Sequence, residues 1–266
     1  MNEDKCIKKL EKKNQKLNRK NEKIELKLQK ENEEAPIKAE EKKKRRVLKR
    51  YHQMKNEPPV RSTLEEIGNS ITHGIGAILG IVALSLMLKV SDTPLKILAS
   101  CVYGFCMIFM MLMSSLYHAW PKYSKVKRIW RRFDYTSIYL LIGGTFAPIY
   151  LVYWGNTLGI TLFIIQWVLI ITGVTMVCVF GPGRVRIMNF IMYFAIGWSG
   201  VMFIPDFIMN NLPLLWYILG GGIVYTLGMI PFAKKGIKGA HFIWHIFVLG
   251  GAAVQFLGIL FYIYNF

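Results

Sequence analysis

An all-α membrane protein, a bundle of seven transmembrane helices, is the fold class this sequence predicts. Three observations carry the prediction. The 266 residues are 53% hydrophobic and 14% aromatic, and mean hydropathy is +0.32 despite a formal net charge of +18. No ordinary soluble domain combines these values. The charge is segregated: 21 Lys and Arg and 11 Asp and Glu fall within Met1–Arg61, which leaves 13 and 5 for everything after. From Ile67 onward, apolar runs recur seven times between short polar joints.

The chain therefore divides into a basic tail, residues 1–61, and a membrane domain, residues 62–266. In the tail, Ile7, Asn14, Asn21 and Leu28 alternate at heptad spacing with Leu10, Leu17 and Ile24. This is the a and d pattern of a short zipper, in which an Asn at an a position sets register and favours a homodimer. Against it stands a charged, partly disordered arm with incidental leucines. Lys42–Arg50, with KKKRR at its centre, is suited to anionic lipid headgroups, each charge contributing about 1 kcal/mol near a membrane surface. Nucleic acid is not the expected partner, because no base-reading element or aromatic platform accompanies the charge. The first residues are charged, with neither an apolar core nor a small-residue cleavage site, so the first span is expected to direct insertion itself. Cys6, Cys101, Cys106 and Cys178 form no paired motif, and neither a disulfide framework nor a thiolate metal site is expected.

The seven spans read as Ile67–Val90, Leu95–Tyr117, Asp134–Tyr153, Leu158–Phe180, Ile187–Ile204, Leu212–Phe232 and His241–Tyr262. Most are close to the ~20 residues that a helix needs to cross ~30 Å of hydrocarbon. A β-barrel would need ~10-residue alternating segments instead. Gly143-Gly144 and Gly220–Gly222 predict close helix packing. Loop charge sets orientation. Lys122, Lys125, Lys127, Arg128, Arg131 and Arg132 lie between spans two and three, Arg184 and Arg186 between four and five, and Lys234, Lys235 and Lys238 between six and seven. All share a side with the basic tail, while the other side carries Lys89, Lys96, the Asp206 loop and an uncharged C-terminus. The positive-inside rule then gives a cytoplasmic N-terminus and an outside C-terminus in a multi-pass plasma-membrane protein.

Ionisable residues inside spans are costly and are functional candidates by default. Here they are Glu65, Glu66, His73, His118, Asp134, His241 and His245, and this topology places them all in one leaflet. His241 and His245 form H-x-x-x-H, which puts two imidazoles about 5–6 Å apart on one helix face. His118 offers a third nitrogen from another helix, with Ser114 one turn before it. Three His with an open fourth position describe a catalytic zinc site. Asp134 could ligate the metal, orient a bound water, or accept a proton from it. The bland alternatives are interfacial His bonded between helices, Asp134 paired with Arg131 or Arg132, and Ser114 bonded to its own helix. Glu66, Asn69 and His73 form a polar stripe at i, i+3 and i+7, expected to pack against neighbouring helices.

Together the E-x-x-N-x-x-x-H of Glu66, Asn69 and His73, the S-x-x-x-H of Ser114 and His118, Asp134 in FDYTSI, and the H-x-x-x-H of His241 and His245 resemble the haemolysin III family. That family lies within the progestin and adipoQ receptor group and is more distantly similar to the alkaline ceramidases. The resemblance covers Thr63 to the C-terminus and excludes the tail. It implies zinc bound by His118, His241 and His245, with Asp134 acting through a water and Ser114 close by. The ceramidase likeness implies hydrolysis of a lipid amide, with Asp134 as general base and Ser114 donating to the developing oxyanion. The family name implies instead a membrane-lytic or channel protein, although built-in spans are unlike a secreted pore-former. A lipid sensor without turnover is the third reading, and the zinc hydrolase is the favoured mechanism.

Overall fold

The computed structural model describes residues 3–233 and 238–266, with side chains from residue 16 onward except those of 18, 232 and 233. Lys234 and Lys235, counted among the loop charges, lie outside the described residues, as do the side chains of Cys6, Ile7, Leu10 and Asn14. The described residues form helices joined by short turns, with no strand among them. The chain divides after Lys55 into two units.

The first unit is one helix, α1 (Glu3–Lys55), which runs through Pro36. Its charge pattern supports it locally: Lys38 pairs with Glu34 at 2.6 Å and Lys44 with Glu40 at 2.9 Å, both at i,i+4. Leu17, Ile24 and Leu28, three members of the heptad pattern, are about half exposed.

Among the described residues, the second unit holds seven helical spans long and apolar enough to cross a membrane. α2 (Thr63–Lys89) starts where Ser62 accepts the Glu65 N–H at 3.2 Å, and α3 (Pro94–Ala119) starts at Thr93, with Pro94 in the first turn. α4 begins at Lys125, capped by Ser124, well before Asp134 where the apolar run opens. Hydropathy marks the membrane boundary, whereas the backbone continues its hydrogen bonds through the charged turns outside it. α4 runs to Pro148 and passes into a π-helical turn, Ile149–Trp154. Pro148 has no N–H for the ladder, and Gly155 at φ 53° ends the segment by donating to the Tyr150 carbonyl at 3.3 Å. α5 (Thr157–Phe180) follows.

The fifth crossing is not one helix. α6 (Arg186–Gly197) gives way to a 3₁₀ segment, Ser199–Phe203, and then to α7 (Ile204–Asn210). The crossing thus extends past the expected end at Ile204, and Asp206 sits in a helix rather than a loop. α8 (Leu212–Ala233) and α9 (Ala240–Tyr262) complete the bundle.

α4 is the central helix, 72% buried over its apolar window, against 22% for α5 and 11% for the fifth crossing. α3 packs between α2 and α4, while α9 packs against α8, α2 and α4. Gly144 permits the α3–α4 approach, since a Cβ there would lie 2.5 Å from that of Cys106. Of Gly220–Gly222, only Gly221 is tightly packed, against Gln255. Ile164, Ile165, Val168 and Ile171 on α5 are exposed from the bundle, as a lipid-facing surface requires.

Candidate metal centre and cavity

His118 lies in the last turn of α3, just before the chain turns extended at Trp120. His241 and His245 occupy the first two turns of α9, which opens after Gly239 in the left-handed region at φ 71°. The packing of α2 against both α3 and α9 brings these ends together. His241 Nε2 lies 3.2 Å from His118 Nε2 and 3.2 Å from His245 Nε2, and the ligand atoms of all three lie within 4.8 Å of one another.

These separations fit a shared ion. Imidazoles held at about 2.0–2.1 Å from a tetrahedral ion have nitrogens about 3.3 Å apart. Converging nitrogen lone pairs repel unless a proton or cation lies between them. The trio could therefore hold a metal, and it is the one such group among the described His, Cys, Asp and Glu residues.

The opposite edge of the His118 ring is also engaged. Its Nδ1 is 2.6 Å from Glu66 Oε2, and Asn69 Nδ2 approaches the same nitrogen at 3.4 Å. Glu66 Oε1 makes a 3.1 Å ion pair with Lys127 Nζ, which also donates to the Trp120 carbonyl at 3.0 Å and lies over the Tyr117 ring at 5.0 Å. Glu66, Asn69, His118 and Lys127 are all buried. The stripe expected to serve helix packing thus reaches the His cluster. Its third member, His73, stacks on His245 with ring centroids 3.8 Å apart, and neither of its ring nitrogens has a protein hydrogen-bond partner.

A cavity of about 170 Å³ opens from the cluster into the bundle. His73, Ser114, Asp134, His241 and His245 line its polar end, and Val248, Phe146 and Gln255 lie farther along. His241 and Gln255 are about 21 Å apart along α9 at 1.5 Å per residue. Asp134 is buried, and the Ser114 hydroxyl is directed at its carboxylate. Asp134 makes no ion pair among the described residues, and it stands outside the group of three His. Arg131, one of the two arginines offered as an alternative partner for it, donates instead to the carbonyls of Asn56 and Glu57 at 3.1 and 2.9 Å. Arg61 faces Tyr117 with a buried Nη1 that has no protein partner.

Residues 61–256 match the family described as haemolysin-III related, and they include the His trio, Glu66, Asn69, His73, Ser114, Lys127 and Asp134. The chain belongs to the haemolysin III family. It is 38% identical over 204 residues to hemolysin-3 of Bacillus cereus, covering 75% of this chain and 92% of that protein. It is 35% identical over 205 residues to the hemolysin-3 homolog of Bacillus subtilis, covering 74% and 94%. The human monocyte to macrophage differentiation factor is 28% identical over 210 residues, covering 76% and 85%. The family match of this haemolysin III protein begins at Arg61, so α1 lies outside it.

Two members of the site were not singled out from the sequence as partners of the trio. By its place in the stripe Glu66 reads as a helix-packing residue, and Lys127 reads only as a loop charge. The available signal was the set of i, i+3 and i+7 polar residues entering a span beside a His-bearing one. Which His they meet depends on the rotation of α2 against α3.

Proposed function

We propose that this haemolysin III protein is a zinc-dependent hydrolase of lipid amides that works within the membrane. The carrying observation is the convergence of three His nitrogens, two of them from His241 and His245 on the wall of a largely apolar cavity that also presents Asp134 and Ser114. Zinc bound by His118, His241 and His245 would supply a Lewis acid that polarises an acyl carbonyl and acidifies water toward neutral pH. The cavity takes the acyl chain beside Ile138, Leu141 and Val248 and leaves the amide at the polar end. Asp134 takes the proton of the attacking water as its oxygen adds to the carbonyl carbon. Ser114, directed at Asp134 before substrate arrives, donates to the developing oxyanion. The C–N bond then breaks as the proton passes from Asp134 to nitrogen, giving a carboxylic acid and an amine.

The organisation read from charge belongs to the same proposal. The His end of the bundle faces the cytoplasm with the basic tail of residues 1–61, the membrane domain of residues 62–266 ends outside, and the membrane is the plasma membrane. The tail binds anionic lipid headgroups through Lys42–Arg50, and its heptads pair two chains.

The test is metal per chain by elemental analysis on detergent-purified protein, beside a His241→Ala/His245→Ala variant, followed by turnover of a panel of lipid amides. About one zinc, lost in the variant, together with released fatty acid supports the reading, and folded wild type without metal overturns it. The name of the Bacillus cereus relative, hemolysin-3, favours a second reading, a membrane-lytic or channel protein. That reading predicts ion flux across vesicles that survives removal of zinc.

A further inference from the structure

We infer that Glu66, held in place by Lys127, is the positioning residue of the metal centre, and that it sets the ring orientation and tautomer of His118. The inference rests on the metal reading above and deepens it.

An imidazole presents its two nitrogens on different edges, so a His can serve an ion through only one of them. For His118 that edge is Nε2, the atom 3.2 Å from His241 Nε2. Nδ1 must then carry the proton, and it needs an acceptor, since burying an unpaired N–H is costly. Glu66 Oε2 is that acceptor at 2.6 Å, the length of a charge-assisted bond. With the proton committed to Glu66, the Nε2 lone pair is left facing the other two imidazoles.

Glu66 is not a fourth ligand. It lies behind the ring, with one oxygen on His118 and the other on Lys127, and it stands outside the group of converging ligand atoms. Lys127 completes the argument. The Lys127 ammonium is 3.1 Å from Glu66 Oε1 and is itself fixed by the Trp120 carbonyl, so the carboxylate cannot swing away from His118. Buried ion pairs add little net stability compared with apolar packing. Their retention here follows from what the carboxylate does to His118. Carboxylates bonded to ligand His in this way change metal affinity by about 10- to 100-fold.

The experiment measures zinc affinity by competition with a chromophoric chelator, and the melting temperature of the metal-free protein, on the full chain in detergent. Glu66→Gln keeps the size and an acceptor but removes the charge. Glu66→Asp keeps a carboxylate for Lys127 but withdraws it from His118 by one methylene. Both should bind zinc about 10- to 100-fold more weakly than wild type; Glu66→Asp should keep the metal-free melting temperature near that of wild type, whereas Glu66→Gln should lower it by leaving Lys127 buried without its counter-charge. Adding Lys127→Met to Glu66→Gln should weaken zinc no further, because Lys127 acts through Glu66. Wild-type zinc affinity in both single variants would overturn the inference. Collapse of the metal-free fold in both would assign Glu66 to the fold alone and overturn it as well. A wild type that binds no zinc would instead defeat the metal reading itself, so the two failures are distinguishable.

Discussion

The two ends of the bundle treat buried polar groups in opposite ways. Where α2 meets α3 and α9 ends, Ser91 bonds the Met87 carbonyl and lies 2.9 Å from Ser100, Ser100 bonds Tyr264, and Tyr264 bonds the Lys96 carbonyl. At the same end Trp154 and Asn210 share Asp206, and Asn211 bonds the Tyr262 carbonyl. These chains close on the protein itself, although the Tyr153 hydroxyl and, farther into the same half of the bundle, the Tyr103 hydroxyl, both side-chain amide atoms of Gln166 and Trp167 Nε1 are buried without a protein hydrogen bond. At the His end, by contrast, both nitrogens of His73, Nδ1 of His245, Oδ1 of Asn69 and Nη1 of Arg61 are buried without a protein hydrogen bond. Buried polar atoms are normally paired, and each unpaired one needs a reason. One end joins helices, and the other gathers the three His that could hold a metal.

The contrast is sharpest in substitutions that separate metal, turnover and stability. His118→Ala should abolish both zinc binding and turnover, because one of three ligands and the Glu66 contact are lost together; unchanged zinc per chain would remove the distinction between the ends. Asp134→Asn should lower amide turnover by about 10²–10⁴-fold while the protein still binds zinc, measured on the same preparation. Ser114→Ala should cost about 10²-fold in kcat, the scale of one oxyanion donor, with zinc again retained. Loss of zinc from either of these two would place that residue in the metal shell rather than beside it.

Much of this was legible in the sequence because two of its signals are one-dimensional. Span length and hydropathy follow from the bilayer thickness, and the seven helices lie where the apolar runs are. H-x-x-x-H on α9 and S-x-x-x-H on α3 each define a face within one helix. What escaped is what depends on two helices at once or on a bend within one. Lys127 reads as a topology-setting charge until α4 is seen to begin at Lys125 and carry it beneath Trp120. Glu66 is adjacent to Glu65 in sequence, yet Glu65 sits in the exposed N-cap turn while Glu66 is buried on His118. The 3₁₀ break at Ser199–Phe203 leaves hydropathy unchanged, so a continuous fifth span was expected there.

The smallest effect belongs to the other end. Tyr264→Phe removes the hydroxyl that joins Ser100 on α3 to the Lys96 carbonyl, while the ring keeps its place in the core. Ser100 retains Ser91 as a partner, so the loss should be about 1 kcal/mol, the net worth of a typical hydrogen bond. It should be read as a lower melting temperature in detergent, with zinc content and turnover as in wild type. The far end would then be a joint that sets how firmly α3 and α9 are held together. A Tyr264→Phe variant that lost zinc at unchanged melting temperature would show the opposite. His118 and His241 ride on those same two helices, so a change in how they meet at one end would have reached the metal centre at the other.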